Sequence, residues 1–220
     1  MSIKVIVATV QAICISPVLA APCEAPPMIE QSASPAEVRR FFSSKEWQVV
    51  TFLGYSGAGY ENNSEMLAQA DRILQRLSPD KTIVNIGATA EGIGAVYERA
   101  KARGLRTSGI VSSIAKGEVA LSPCVDYVFY VPDETWGGYD KNGKLSPTSE
   151  AMLAVSDELI AIGGGDIARD ELVEARKRGK PVTFIPADMN HEKARKKAKG
   201  DKPVNFQGSA SEAMWADNQK

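Results

Sequence analysis

The chain has 220 residues, 44% of them hydrophobic and 24% charged, with a formal net charge of -1. That is the composition of a globular protein with one sizeable core, and it excludes a global field that would recruit nucleic acid or an anionic membrane. A single histidine, His191, and the lack of any CxxC pair argue against a zinc site or a histidine-based catalytic triad, so no metal is expected.

The first residues read as an export signal. Lys4 gives a minimal positive start, Val5 to Ala20 is apolar apart from Gln11 and two hydroxyl residues, and Val18-Leu19-Ala20 offers a cleavage site before Ala21. The stretch is too short and interrupted for a membrane span. Pro22 before Cys23 argues against lipid attachment at that cysteine, so no stable membrane anchor is expected after cleavage. The competing reading makes Ile3 to Ala8 the first strand of a cytoplasmic protein. Export would put the chain in the periplasm or outside the cell, where Cys23 and Cys124 could pair; sequence gives no geometry for that.

A proline-rich segment, Ala21 to Ser34, reads as having little structure. Ser34 then caps a short helix, Ala36 to Trp47, with Pro35 in its first turn. From Gln48 the pattern alternates strand, glycine and helix. Strands are expected at Val49–Leu53, Thr82–Ile86, Leu105–Ile114, Val125–Val131, Glu158–Ile162 and Pro181–Ile185. Helices are expected from Ser64 to Leu77, from Ile93 to Gly104, from Pro147 to Val155 and from Asp166 to near Gly179. This alternation predicts an α/β fold: a single doubly wound, Rossmann-like parallel sheet with helices on both faces. The domain spans residues 48–188, after a signal at 1–20 and an extension at 21–47. A polar helix and tail follow at 189–220, with the basic run Glu192–Lys202 read as solvated.

In such sheets ligands sit beyond the carboxyl ends of the strands, where the strand order switches. Three glycine-bearing loops fall there: Gly54–Gly59, Gly87–Gly94 and Gly163–Gly165. Glycine lets a ligand approach the backbone, and a helix starting at Asp166 offers unpaired N–H groups to an anion. None of the loops is a GxGxxG or GxxxxGK[ST], so ordinary dinucleotide and P-loop readings are weak. Tyr55, Tyr60, Trp136 and Tyr139 stand in loops at strand ends, where they either stack a base or cover the sheet. Trp136, in the longest loop, is the best stacking candidate. Thr89 and Glu91 read as caps of the second helix before they read as site residues.

These segments resemble the LOG-type, lysine decarboxylase-like Rossmann family of the SLOG superfamily over Val49 to Ala187. VTFLGYSGAGYENN resembles the family's first strand and loop, and IVNIGATAEGIGAVYERAKARGLRTSGIVSS its second strand–helix unit. SEAMLAVSDELIAIGGGDIARDEL resembles the stretch that contains its PGGxGTxxE motif. The resemblance implies nucleotide binding, with enzymes that cleave the N-glycosidic bond of nucleoside monophosphates. It matches Gly164 and Gly165 to the motif glycines, Glu171 to the catalytic glutamate, and Ser56 and Gly57 to positions near the phosphate. The chain departs from the motif at Gly163, Ile167 and Ala168, which stand for its proline, glycine and threonine. Thr148-Ser149 stands where the family has an arginine–lysine pair, and a hydroxyl cannot replace a guanidinium fork on phosphate.

The expectation is a binding site for a nucleotide or related phosphorylated small molecule without family catalysis and without a resident cofactor. Ser56, Gly57, Gly87, Gly163, Gly164, Gly165, Asp166 and Trp136 would contact the ligand. The alternatives are an N-glycosidase using Glu171, with Lys141, Lys144 or Arg169 supplying the missing cation, and an exported protein-interaction domain. A homodimer is implied by the resemblance alone.

Overall fold

The structure, a computed structural model, describes Cys23 and residues 26–198 and 203–216. The expected export signal at residues 1–20 lies outside the described residues. One sheet of seven parallel strands organises the chain: β1 (Ile29–Ser32), β2 (Gln48–Gly54), β3 (Thr82–Ile86), β4 (Arg106–Ser112), β5 (Tyr127–Val131), β6 (Glu158–Ile162) and β7 (Val182–Ile185). Their spatial order is β1-β5-β4-β3-β2-β6-β7. The chain therefore steps outward from β2 to β5, then crosses back to lay β6 on the free flank of β2. The switch in strand order lies between β2 and β6.

Successive residues of each strand feed opposite faces, as the two-residue period requires. Val50, Phe52, Val84, Ile86, Ile160 and Ile162 point to one side, against α2 (Asn63–Leu74) and α3 (Val96–Ala102). Val49, Leu53, Ile83, Ile110, Leu159 and Ala161 point to the other. There they meet α1 (Pro35–Ser43), α4 (Pro147–Val155), α5 (Asp166–Lys177) and α7 (Gly208–Ala216); α6 (His191–Lys197) lies between β7 and α7 in sequence. Ser34 caps α1 with a capping box to Glu37, and Ser146 caps α4 with Pro147 in its first turn. Asp157 is structural: its Oδ2 accepts from Val49 N at 2.8 Å, at the end of the sheet away from the glycine loops.

Two expectations differ from the structure. The segment read as having little structure supplies β1, an edge strand paired with β5. Three of its four residues are exposed, so no apolar alternation marked it. The C-terminal region is also more than a solvated tail, because Ala210 and Met214 of α7 are buried against α5. Cys23 and Cys124 form a disulfide that ties the N-terminal segment to the entry of β5.

Candidate functional site

A cavity of about 730 Å³ opens at the carboxyl ends of β2, β3 and β4 and extends beneath the first turns of α5. That volume suits a ligand of nucleotide size. Phe52, Leu53 and Gly54 line it from β2, Ile86 and Gly87 from the end of β3, and Ile110 and Val111 from β4. Val119, Ala120 and Leu121 form a further wall. That wall is held by the bridge between Thr89 and Leu121 and by Ser122 N, which donates to Ala88 O at 2.9 Å.

Of the expected ligand contacts, Ser56, Gly57, Gly87, Trp136 and Glu171 line this cavity together. Trp136 is 49% exposed at its rim. Thr89 and Glu91 line it as well; Thr89 Oγ1 accepts from Glu91 N at 3.2 Å.

Gly163, Gly164, Gly165 and Asp166 are not among the lining residues. Gly163 and Gly164 have φ of 60° and 142°, and both are packed against the protein itself. A Cβ on Gly163 would lie 2.6 Å from the Tyr55 ring, and one on Gly164 would lie 2.6 Å from Ala168 Cβ and 3.2 Å from Ala210 Cβ. The C-terminal helix thus covers this turn, with Ala210 N donating to Gly164 O at 3.2 Å. Gly165 is different: nothing lies within 4 Å of its Cβ direction. It is the N-cap of α5, with no side chain closing that helix end. Asp166 is a first-turn acid whose Oδ1 accepts from Arg169 Nη1 at 2.9 Å and from Ser209 Oγ at 2.7 Å. Past it, Ile167 and Ala168 bring the uncapped end of α5 to the cavity.

Glu171 is 4% exposed, on the α5 face that meets α4. Its Oε1 accepts a 2.6 Å hydrogen bond from Ser149 Oγ, which in turn accepts from Gly138 N at 2.8 Å. Burial pushes its carboxyl up to about 7, opposed by the Ser149 bond and helped by the nearby Asp170 charge. Thr148, beside Ser149, lines the cavity, and its buried Oγ1 has no hydrogen-bond partner among the described residues. The Thr148–Ser149 pair therefore serves Glu171 and the cavity wall with hydroxyls.

Glu91 and Glu171 are the only charged side chains among the described residues lining the cavity. None of the three cations considered from sequence reaches it. Arg169 is engaged by Asp166 and by Asp170 at 2.8 Å, while Lys144 faces a second, outer cleft. That cleft is wider, but Arg178, Glu150, Glu174 and Lys177 there pair with one another. The cation nearest the first glycine loop went unnoticed in the sequence: Lys193 Nζ donates to Gly57 O at 2.7 Å.

Tyr55 and Tyr60 are buried rather than poised for stacking. Tyr60 Oη donates to Ile162 O at 2.8 Å, linking β2 to β6 at the switch, and burial pushes its phenol far up. Tyr139 Oη donates to Glu174 in the outer cleft.

Fold and cavity together define a Rossmann-like α/β domain with a ligand-sized cleft at the carboxyl ends of its strands. No protein-family model matches the chain, and no curated protein matches it. Among solved structures it is similar to the Moco carrier protein of Chlamydomonas reinhardtii, with 18% identity over 64% of this chain and 77% of that one, at a TM-score of 0.48. It is also similar to the structural-genomics target TM1055, with 21% identity over 79% of this chain and 99% of that one, at a TM-score of 0.47. The site is read from this chain's own residues.

Proposed function

We propose that this protein is a divergent LOG-type domain that binds a nucleotide or related phosphorylated small molecule in the cavity at the strand ends, without the family's hydrolysis. The observation that carries the reading is the coincidence of three features around one space of about 730 Å³. These are a largely apolar chamber with Trp136 at its rim, the Ser56–Gly57 loop, and the first turn of α5, which reaches the cavity through Ile167 and Ala168. A ring fits the chamber, and phosphate oxygens suit main-chain N–H groups at loop and helix end.

Binding is favoured over hydrolysis because the described lining residues include no cation beside Glu171 to steady a leaving group. The N-glycosidase reading draws support from Glu171, whose carboxyl near 7 suits a proton-transfer role at neutral pH. An oxidising, extracytoplasmic compartment fits the Cys23–Cys124 disulfide.

Thermal-shift screening against nucleotides, nucleosides and sugar phosphates tests the reading. A ligand at about a hundred times its Kd adds roughly 2.7 kcal/mol, a shift of several degrees. Incubating that ligand and assaying for released base separates binder from hydrolase. No shift across the panel would overturn the proposal.

A further inference from the structure

The first glycine loop is held from outside the sheet. Met189 bridges to Tyr60, Glu61 N donates to Asp188 O at 3.1 Å, and Asn190 N donates to Gly59 O at 3.2 Å. His191 N then donates to Glu61 Oε2 at 2.7 Å, and Asn190 caps α6 by accepting from Lys193 N at 3.1 Å. These contacts fix the stem of Lys193 over the loop, so that its ammonium lies 2.7 Å from Gly57 O. The amides of Ser56 and Gly57 face no acceptor among the described residues, and both residues line the cavity.

From this arrangement we infer that Lys193 is a ligand-binding residue, supplying the cation for a phosphate seated on the Ser56–Gly57 loop. The inference rests on the proposed function. An ammonium has three donors, so Lys193 can keep Gly57 O and still bond a phosphate oxygen. A phosphate carries the opposite charge to the ammonium while Gly57 O is neutral, so a phosphate competes well for this group. Glu91 faces the same loop from the cavity side, with Oε2 3.8 Å from the Cβ direction of Gly57. Its charge disfavours phosphate on that side of Gly57 and leaves the Lys193 side of the loop as the place for it. The ring is then inside and the phosphate at the mouth.

The test uses the full chain with its disulfide intact. Isotope-labelled protein is titrated with inorganic phosphate while the Ser56 and Gly57 amide resonances are followed. Binding of each 5′-nucleoside monophosphate and its nucleoside is measured by calorimetry. Lys193→Met is compared with Lys196→Met, whose parent lysine pairs with Glu192 at 2.6 Å. Phosphate should shift both amides in the wild type and in Lys196→Met, and Lys193→Met should lose those shifts. Lys193→Met should also weaken the best monophosphate about tenfold and leave its nucleoside within about twofold. Absent amide shifts in the wild type, or shifts and affinities unchanged in Lys193→Met, would overturn the role of Lys193. Amide shifts that need Lys193, with no monophosphate or nucleoside binding, would uphold the anion contact and overturn the nucleotide reading.

Discussion

Ser149 and Glu171 are joined by a 2.6 Å hydrogen bond from hydroxyl to carboxylate, buried between α4 and α5 at the wall of the cavity. Ser149 also accepts the amide of Gly138, so the long loop after β5, the start of α4 and the first turns of α5 meet at one hydroxyl. A glutamate held this way is a fixed polar point in a largely apolar chamber. It can give a proton to a ligand or take one from it near neutral pH.

The buried carboxyl makes stability depend on pH in a definite direction. Its ordinary value is 4.5, and in the folded chain it titrates near 7, chiefly through burial. Between those values the folded state holds a proton that the unfolded state gives up. The contribution of Glu171 is therefore full below 4.5, falls as pH rises, and is lost above about 7. Glu171→Gln removes this fall. Between pH 4.5 and 8, the difference in unfolding free energy between variant and wild type should move in favour of the variant by up to on the order of 3 kcal/mol. Urea titrations at several pH values would measure it, and a difference that stays flat would mean that Glu171 is solvated.

The two glycines at the β6–α5 turn should respond in opposite ways. Gly164 is at φ 142° with Ala168 and Ala210 against its Cβ direction, so Gly164→Ala should strain the turn and push α7 away. A loss of about 2 kcal/mol or more follows from strain and overpacking. Gly165 has an extended φ of -89° and open space, so Gly165→Ala should cost at most about 1 kcal/mol, the size of a lost N-cap preference. Thermal melts of the two variants decide this, and equal losses would contradict the packing of α7 on the turn.

Cys23 and Cys124 close a loop of 101 residues. Replacing both by alanine should lower stability by about 2–4 kcal/mol, because the unfolded chain regains that loop's freedom. Val119–Leu121, the cavity wall just before Cys124, is held by its own backbone contacts to Thr89 and Ala88. Ligand affinity should thus change less than about twofold while the melting temperature falls by several degrees. Affinity falling together with stability would show that the disulfide also shapes the wall.

The sheet was legible because six of its seven strands are apolar runs, and three of these, β2, β3 and β6, pass straight into glycine. β1 did not, since an edge strand with three exposed residues carries no such pattern. Among the residues lining the cavity, Gly87 and Trp136 could be singled out from their places after strands, and Ser56, Gly57 and Glu171 through the resemblance. The burial of Gly163 and Gly164 could not, because α7 returns from some forty residues later and helix packing across that separation leaves no local mark. Lys193 was hidden for a different reason. It lies in a run of basic residues, and only the contacts of Asp188, Met189 and Asn190 with the loop before α2 distinguish it from its neighbours.

The clamp of residues 188–193 on the Ser56–Glu61 loop also orders events in time. This loop is among the first parts of the domain to be synthesised, yet its partners come among the last. Until the chain is made as far as residue 193, the mouth of the cavity lacks the contacts that hold it. A nascent or C-terminally clipped molecule would carry the chamber without its doorway.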